Sequence, residues 1–391
     1  MRWIVVAIAI VVGSAVGRAA LADDGAEPPT TIDVITMGAG DALFSRFGHA
    51  AICVTDAGAP RGRCYNYGTA DFRTPVPLTW EFLRGRALFW VAVDRLPRML
   101  AAYAAEDRSV WTQRLRVTPE VARAIAAALE ASTDERVRYY RYHHFRDNCT
   151  TRIRDVVDAA TGGRLGHGAQ THAHEGETFR VYARAGFAGD LPLLLVTELF
   201  LGRAADERTS PWQAMFLPDV LRAEVARRFD APPVELVRRR APPPATGARW
   251  LGRAALVALG VGLALVVLAG GRVRDDLAGR AVRARLALAP TALVLGLLGV
   301  VFWTMFAVSK LPELRVNEND LVFVPLDLAL PLLPRRWLRA FLTARVAMLV
   351  AIVALHAVGL FVQPIEPVLA ALIPLGVARL YAWPRSRVPI R

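Results

Sequence analysis

The hydrophobic pattern divides the chain in two. From about residue 30 to residue 230, apolar and polar positions alternate in short runs, at a density that supports one globular domain with its own core. Period-two alternation rich in β-branched and aromatic residues predicts strands at 31–37, 49–55, 63–67, 89–94 and 110–117. Helical spacing predicts helices at 77–84, 96–107, 119–131 and 149–160. The third of these opens on Pro119, and the fourth stops at Gly162-Gly163. After Arg253 the texture changes. Residues 254–271 and 286–308 are uncharged apolar runs of spanning length. Residues 346–362 and 368–383 are two further candidates, interrupted by His356 and Arg379. Residues 321–334 are shorter, carry Asp327 and end in leucines and prolines, so they read as a span or a re-entrant segment. The expectation is an α+β domain at 30–230, then a bundle of about five transmembrane helices at 250–385. Between them, 231–249 reads as a stiff linker, marked by Ala231-Pro232-Pro233 and the run from Arg238 to Pro244.

The N-terminus sets the compartment. Arg2, an apolar run from Trp3 to Val16, and Ala20-Leu21-Ala22 ahead of Asp23-Asp24 describe a cleavable secretory signal at 1–22. The net charge of +13 on 391 residues invites a nucleic-acid reading, which the placement of the arginines opposes. They cluster between the apolar segments: Arg272, Arg274, Arg280, Arg283 and Arg285, then Arg335, Arg336, Arg339 and Arg345, then Arg385, Arg387 and Arg391. With the globular domain in the periplasm and five spans, each cluster falls on the cytoplasmic side. The mixed loop 309–320, with Glu313, Glu318 and Asp320 against Lys310 and Arg315, then faces out. These are topology signals. The partner they imply is a membrane, and no nucleic acid is expected.

The chain has three cysteines. Cys53 and Cys64 flank a hairpin loop holding Gly58, Pro60 and Gly62, and an oxidising compartment allows a disulfide across it. Cys149 is then the odd thiol. It opens a predicted helix after the capping types Asp147 and Asn148, where the helix dipole favours a thiolate. His49 opens a predicted strand about one hundred residues earlier, after Gly48. A thiolate and an imidazole form a nucleophile with its base and acid. Such a pair wants a third group to orient the ring, and Tyr65, Asn66, Tyr67, Asp71 and Asn148 are all candidates. Free N–H groups in the first turn of the Cys149 helix offer an oxyanion site. A rival cluster is His167, His172 and His174 with Glu175 and Glu177, but its glycine-rich setting reads as a solvated loop. No metal or other cofactor is called for. His143 and His144 read as packing or rim residues.

Three spaced motifs carry a family resemblance. Phe47-Gly48-His49, then Tyr65-Asn66-Tyr67-Gly68 with Phe72, then Asp147-Asn148-Cys149-Thr150-Thr151-Arg152 resemble the periplasmic N-terminal domain of Lnb-type lipoprotein N-acyltransferases. Phe179-Arg180, Gly202 with Asp206, and Met215-Phe216-Leu217-Pro218 are similar too, as is Asn317-Glu318-Asn319-Asp320-Leu321 before Pro325. Histidine first on a strand and cysteine later on a helix also looks like the circularly permuted papain-like (NlpC/P60-like) fold. The resemblance implies that fold, with Cys149 and His49 as the catalytic pair. It further implies acyl transfer from a phospholipid donor, through a Cys149 thioester, to the N-terminal amine of a diacylated lipoprotein acceptor. The rival readings are a membrane-anchored cysteine amidase or peptidase acting on peptidoglycan or exported peptides, and a non-catalytic binding module.

Overall fold

A computed structural model describes residues 29–169, 177–243, 247–272 and 277–381. The expected signal segment, and His172, His174 and Glu175 of the rival cluster, lie outside them. The first part is a mixed α/β domain. Strands β1 (Thr31–Met37), β2 (His49–Thr55), β3 (Arg63–Thr69), β4 (Leu88–Arg95), β5 (Val110–Arg114), β6 (Tyr139–Arg141) and β7 (Val234–Val237) form one sheet in the order β6-β4-β3-β2-β1-β5-β7. Every pairing is antiparallel. Around it lie α1 (Pro75–Leu83), α2 (Leu96–Ala105), α3 (Pro119–Ala131), α4 (Cys149–Ala160), α5 (Phe179–Gly186), α6 (Leu191–Phe200), α7 (Pro211–Ala214) and α8 (Pro218–Phe229).

Alternation along the strands builds both faces. Ile32, Val34, Ile52, Val54, Tyr65 and Tyr67 pack with Ile125 and Leu129 of α3, Ile153 and Val157 of α4, and Leu221 and Phe229 of α8. On the other face Ile35, Met37, Ala51, Cys53 and Cys64 pack with Met99 of α2. Cys53 and Cys64 sit directly opposite each other in the β2–β3 ladder, with Cα atoms 4.0 Å apart, and are joined by a disulfide. Strand β7 lies inside the stretch expected to be a linker. It pairs with β5 as the outermost strand, a position that tolerates the preceding Pro232-Pro233.

The second part contains α9 (Leu251–Arg272), α10 (Leu277–Val308), α11 (Pro312–Arg315), α12 (Asn319–Val322), α13 (Arg335–Ala357) and α14 (Glu366–Tyr381). Among the described residues three helices are long and apolar enough to cross a membrane: Leu251–Gly270, Val282–Val308 and Arg335–Ala357. The expected count of about five is thereby corrected. Helix α14 has 16 residues and packs along α9, where Gly260 lets the Ala370 backbone approach closely. Residues 321–334 are not a transmembrane helix. Pro325, Pro331 and Pro334 remove backbone donors, and the segment holds only the end of α12 and a 3₁₀ turn at Pro325–Ala329. It lies against α10, whose Gly299 and Gly296 leave room for Val324 and Leu328. The fully buried Asp327 carboxylate accepts two hydrogen bonds from Arg345 of α13 (2.9 and 2.7 Å), and Arg345 also donates to the Val322 carbonyl (2.7 Å). Irregular backbone beside membrane helices is stable where protein supplies its polar partners in this way.

Loop 309–320 fastens the two parts together. The amides of Asn317 and Asn319 donate to the Leu199 carbonyl (3.0 and 2.8 Å), and Gln363 donates to Leu201 (3.1 Å). These are orphan carbonyls at the end of α6, supplied with donors from the membrane part. Glu313, buried in the same loop, accepts from His143 (3.0 Å) and Arg146 (2.9 Å) of the α/β domain.

Candidate active site

Cys149 is the first residue of α4, and its position follows from how that helix is capped. The Asn148 side-chain oxygen accepts from the N–H groups of Thr150 (3.0 Å) and Thr151 (2.9 Å). The Thr151 hydroxyl accepts from the Asn148 N–H in return (2.8 Å), closing a capping box. The Asn148 amide nitrogen donates to the carbonyls of His144 and Phe216, both at 2.9 Å. Asn148 is therefore fully engaged as a cap. Of the first-turn donors, the Thr150 and Thr151 N–H groups are taken by that cap, which leaves the Cys149 N–H.

Helix α4 packs on β2 and β3 and sets Cys149, only 7% exposed, at the start of β2 where His49 lies. Gly48 makes the turn into β2 with φ +80°, and a Cβ there would stand 2.5 Å from the Met37 carbonyl oxygen. Burial pushes the Cys149 thiol up. Against it act the charge and hydrogen bond of the His49 imidazole, the Ala50 N–H, and the Thr150 hydroxyl at 3.7 Å. Together these bring it from an ordinary 9.0 down to about 7.

Beside the sulfur the wall is made by Gly68 and two phenols. Gly68 has φ +83°, and a Cβ there would lie 3.4 Å from Cys149 Cβ, 3.8 Å from the Tyr142 ring and 3.9 Å from the Tyr140 hydroxyl. Tyr140 is 7% exposed, and its hydroxyl has no hydrogen-bond partner. Burial, and next the charge of Cys149, push both phenols up, so both remain protonated donors. On the far side the Tyr103 ring stacks on His49, with centroids 6.2 Å apart.

Residues 25–189, which hold this whole arrangement, match the family described as the Lnb N-terminal periplasmic domain. The match is to that domain alone and covers less than half of the chain. No curated protein and no solved structure matches the chain.

Within the Lnb domain the remaining candidates fall in different places. Tyr65 turns toward α3 and donates to Glu130 (2.7 Å), and burial with that hydrogen bond pushes its pKa up to about 12. Tyr67 donates to Ser132 (2.8 Å) on the same side. Asp71 is exposed and paired with Arg73. Asn66 shares a face with His49: Tyr65 stands opposite Ile52, so Asn66 stands opposite Ala51, two residues along β2 from His49. Its amide nitrogen donates to the Cys64 carbonyl at 3.4 Å. His143 holds Glu313, whereas His144 is buried among Phe47, Phe145 and Phe216, with its pKa lowered by that burial to about 4. Tyr103, Tyr140 and Tyr142 were not singled out by spacing or charge. The aromatic run ending at Phe145, just ahead of Asn148-Cys149, was the available signal.

The later motifs, Phe179-Arg180 near the end of the match and Gly202 with Asp206 beyond it, support the domain. The Arg180 guanidinium is 1% exposed and binds both oxygens of Asp206 (2.7 Å each) together with the Thr197 and Leu201 carbonyls. Gly202 lies so close to the Val316 backbone that no side chain fits there.

Proposed function

We propose that this protein is a lipoprotein N-acyltransferase whose Lnb domain works on the periplasmic face of a bacterial inner membrane. The observation that carries this reading is a buried thiol with a pKa near neutrality, paired with an imidazole and bordered by an unpartnered phenol, in a domain fastened to membrane-length helices. The Cys149 thiolate attacks the carbonyl carbon of a phospholipid ester. The Cys149 N–H and the Tyr140 hydroxyl receive the developing oxyanion. On collapse the ester C–O bond breaks, the acyl group stays on sulfur as a thioester, and the His49 imidazolium protonates the lysophospholipid alkoxide. The free α-amine of a diacylated lipoprotein then attacks the thioester. His49 accepts a proton from the amine, the amide forms, and the thiolate leaves. Asn66 is the proposed orienting group for the imidazole, on the strength of its shared face. No cofactor enters the scheme.

The histidine-before-cysteine order fits a permuted papain-like fold. The proposed topology places loop 309–320, which meets the Lnb domain at His143, and residues 358–363, which meet Arg203 and Glu318, outside, and the Arg335–Arg339 cluster inside.

Intact mass spectrometry of the purified chain with phospholipid, alone and with a diacylated lipopeptide, tests the chemistry. The expected result is an acyl-sized mass on Cys149 that disappears as the lipopeptide gains the same mass. Cys149→Ala gives no adduct. Tyr140→Phe forms it roughly a hundredfold more slowly, with thiol alkylation unchanged. Release of new amines from cell-wall peptides, with no acyl adduct, would overturn the reading in favour of an amidase.

A further inference from the structure

Helix α1 is apolar on two faces. Leu78 and Phe82 turn inward onto the domain core, and Phe82 reaches Tyr142 with ring centroids 6.2 Å apart. Val76 and Trp80, four residues apart and so on one side of the helix, turn outward at 77% and 42% exposed. A helix on a water-facing surface keeps that second face polar.

The position of α1 gives this face an occupant. Its C-terminus is fastened to the end of α10, one of the three helices of membrane-spanning length. The Ser309 hydroxyl donates to the Leu83 carbonyl (2.7 Å), and the Lys310 N–H donates to the Arg84 carbonyl (3.2 Å). Gly85, with φ +66°, sits so near Leu311 that a Cβ would lie 3.2 Å from it. Helix α10 itself ends in outward aromatic residues, Trp303 and Phe306, of the kind that settle at a membrane–water boundary. At about 1.5 Å per residue, Val76 lies roughly 12 Å along the helix from that anchor. The outward face of α1 therefore begins where the membrane helix leaves the hydrocarbon.

The chain just before α1 extends the same surface inward. Phe72, 47% exposed, meets Phe44 with ring centroids 5.3 Å apart, at the mouth of a cleft of about 590 Å³ lined by Ala70, Asp71, Phe72, Arg73 and Trp90. From the cleft, Phe72 touches Phe89 edge-on (6.3 Å), and Phe89 stacks on Tyr142 (4.3 Å), which borders the Cys149 wall. A line of packed rings thus runs from the cleft to the wall beside the thiol.

We propose that α1 and the Phe44–Phe72 pair are seated in the outer leaflet of the bilayer, at the boundary between headgroups and acyl chains. A phospholipid chain then enters the cleft sideways without crossing water. The fate of that lipid rests on the acyltransferase reading; the seating of α1 does not.

The test uses the full chain with Cys149→Ser, the other two cysteines remaining in their disulfide. Val76→Cys and Trp80→Cys are each labelled with a nitroxide in phosphatidylethanolamine–phosphatidylglycerol nanodiscs. Arg123→Cys, on the exposed side of α3, is the aqueous control. Collisions with dissolved oxygen are expected to exceed those with a water-soluble nickel chelate at 76 and 80, and the reverse at 123. The same aqueous signature at 76, 80 and 123 would overturn the proposal, whatever partner then covers the face. Acyl-adduct formation by the unsubstituted protein in the same nanodiscs separates the two claims. An adduct with an aqueous α1 overturns the seating alone, and a seated α1 with no adduct overturns the acyltransferase reading alone.

Discussion

A thiol that is buried and yet substantially ionised at neutral pH needs a specific counterweight, and His49 supplies most of it. The alkylation rate of Cys149 by a small neutral haloacetamide should rise with pH and reach half its limit near pH 7. In His49→Ala burial of the thiol meets less opposition, so the midpoint should move upward; an unmoved midpoint would remove His49 from the pair. Cys149 stood out in the sequence because a helix start, capping residues and an odd cysteine coincide there. Tyr140 did not. Phenols in a strand read as packing, and only in the folded domain is this hydroxyl seen to be buried without a partner next to the sulfur. Asn148 had two readings in the sequence, capping and chemistry, and the geometry assigns all of its polar atoms to the cap.

At the scale of elements, the first turn of α4 is held by one side chain with four hydrogen bonds. Asn148→Ala removes the cap and strands two carbonyls, for a loss of about 2 kcal/mol or more. Asn148→Asp keeps the acceptor but sets a buried carboxylate oxygen against the same two carbonyls, so its loss should be at least as large. Thermal unfolding in detergent orders the three proteins, and equal melting temperatures would contradict the capping account. Strands β1 and β2 match the limits that periodicity predicted because both are short apolar runs buried on both faces, and helices α3 and α4 match because each buries one face. The three-residue β6 and the edge strand β7 escaped. They are too short for alternation to register, and β7 is flanked by prolines and arginines that read as linker. Helix α6 packs on α9 of the membrane part and is apolar on nearly every side, so its positions follow no single-faced pattern. Residues 321–334 misled through composition: hydropathy reports an apolar segment and says nothing of where the prolines let it go.

At the scale of the molecule, Glu313 is the joint. Burial pushes its carboxyl up, but the hydrogen bond and charge of His143, together with Arg146, hold it at about 2. Its folded pKa lies below the ordinary 4.5, so its contribution is complete above 4.5 and fades as pH falls toward 2. Glu313→Gln should lower stability by roughly 3 kcal/mol at neutral pH. The difference from the parent should shrink between those two values. A constant difference in melting temperature across that range would show that the charge is not what matters.

The donors that finish α6 come from Asn317, Asn319 and Gln363, far along the chain in the membrane part. The periplasmic domain is thus not a detachable catalytic head on a passive anchor. Severing the chain near residue 249 would leave carbonyls at the end of α6 without partners, His143 without its carboxylate, and Leu194 without the close fit at Gly252. Attachment to the membrane-length helices is also part of how the domain folds, and the same bonds fix how far Cys149 stands from those helices.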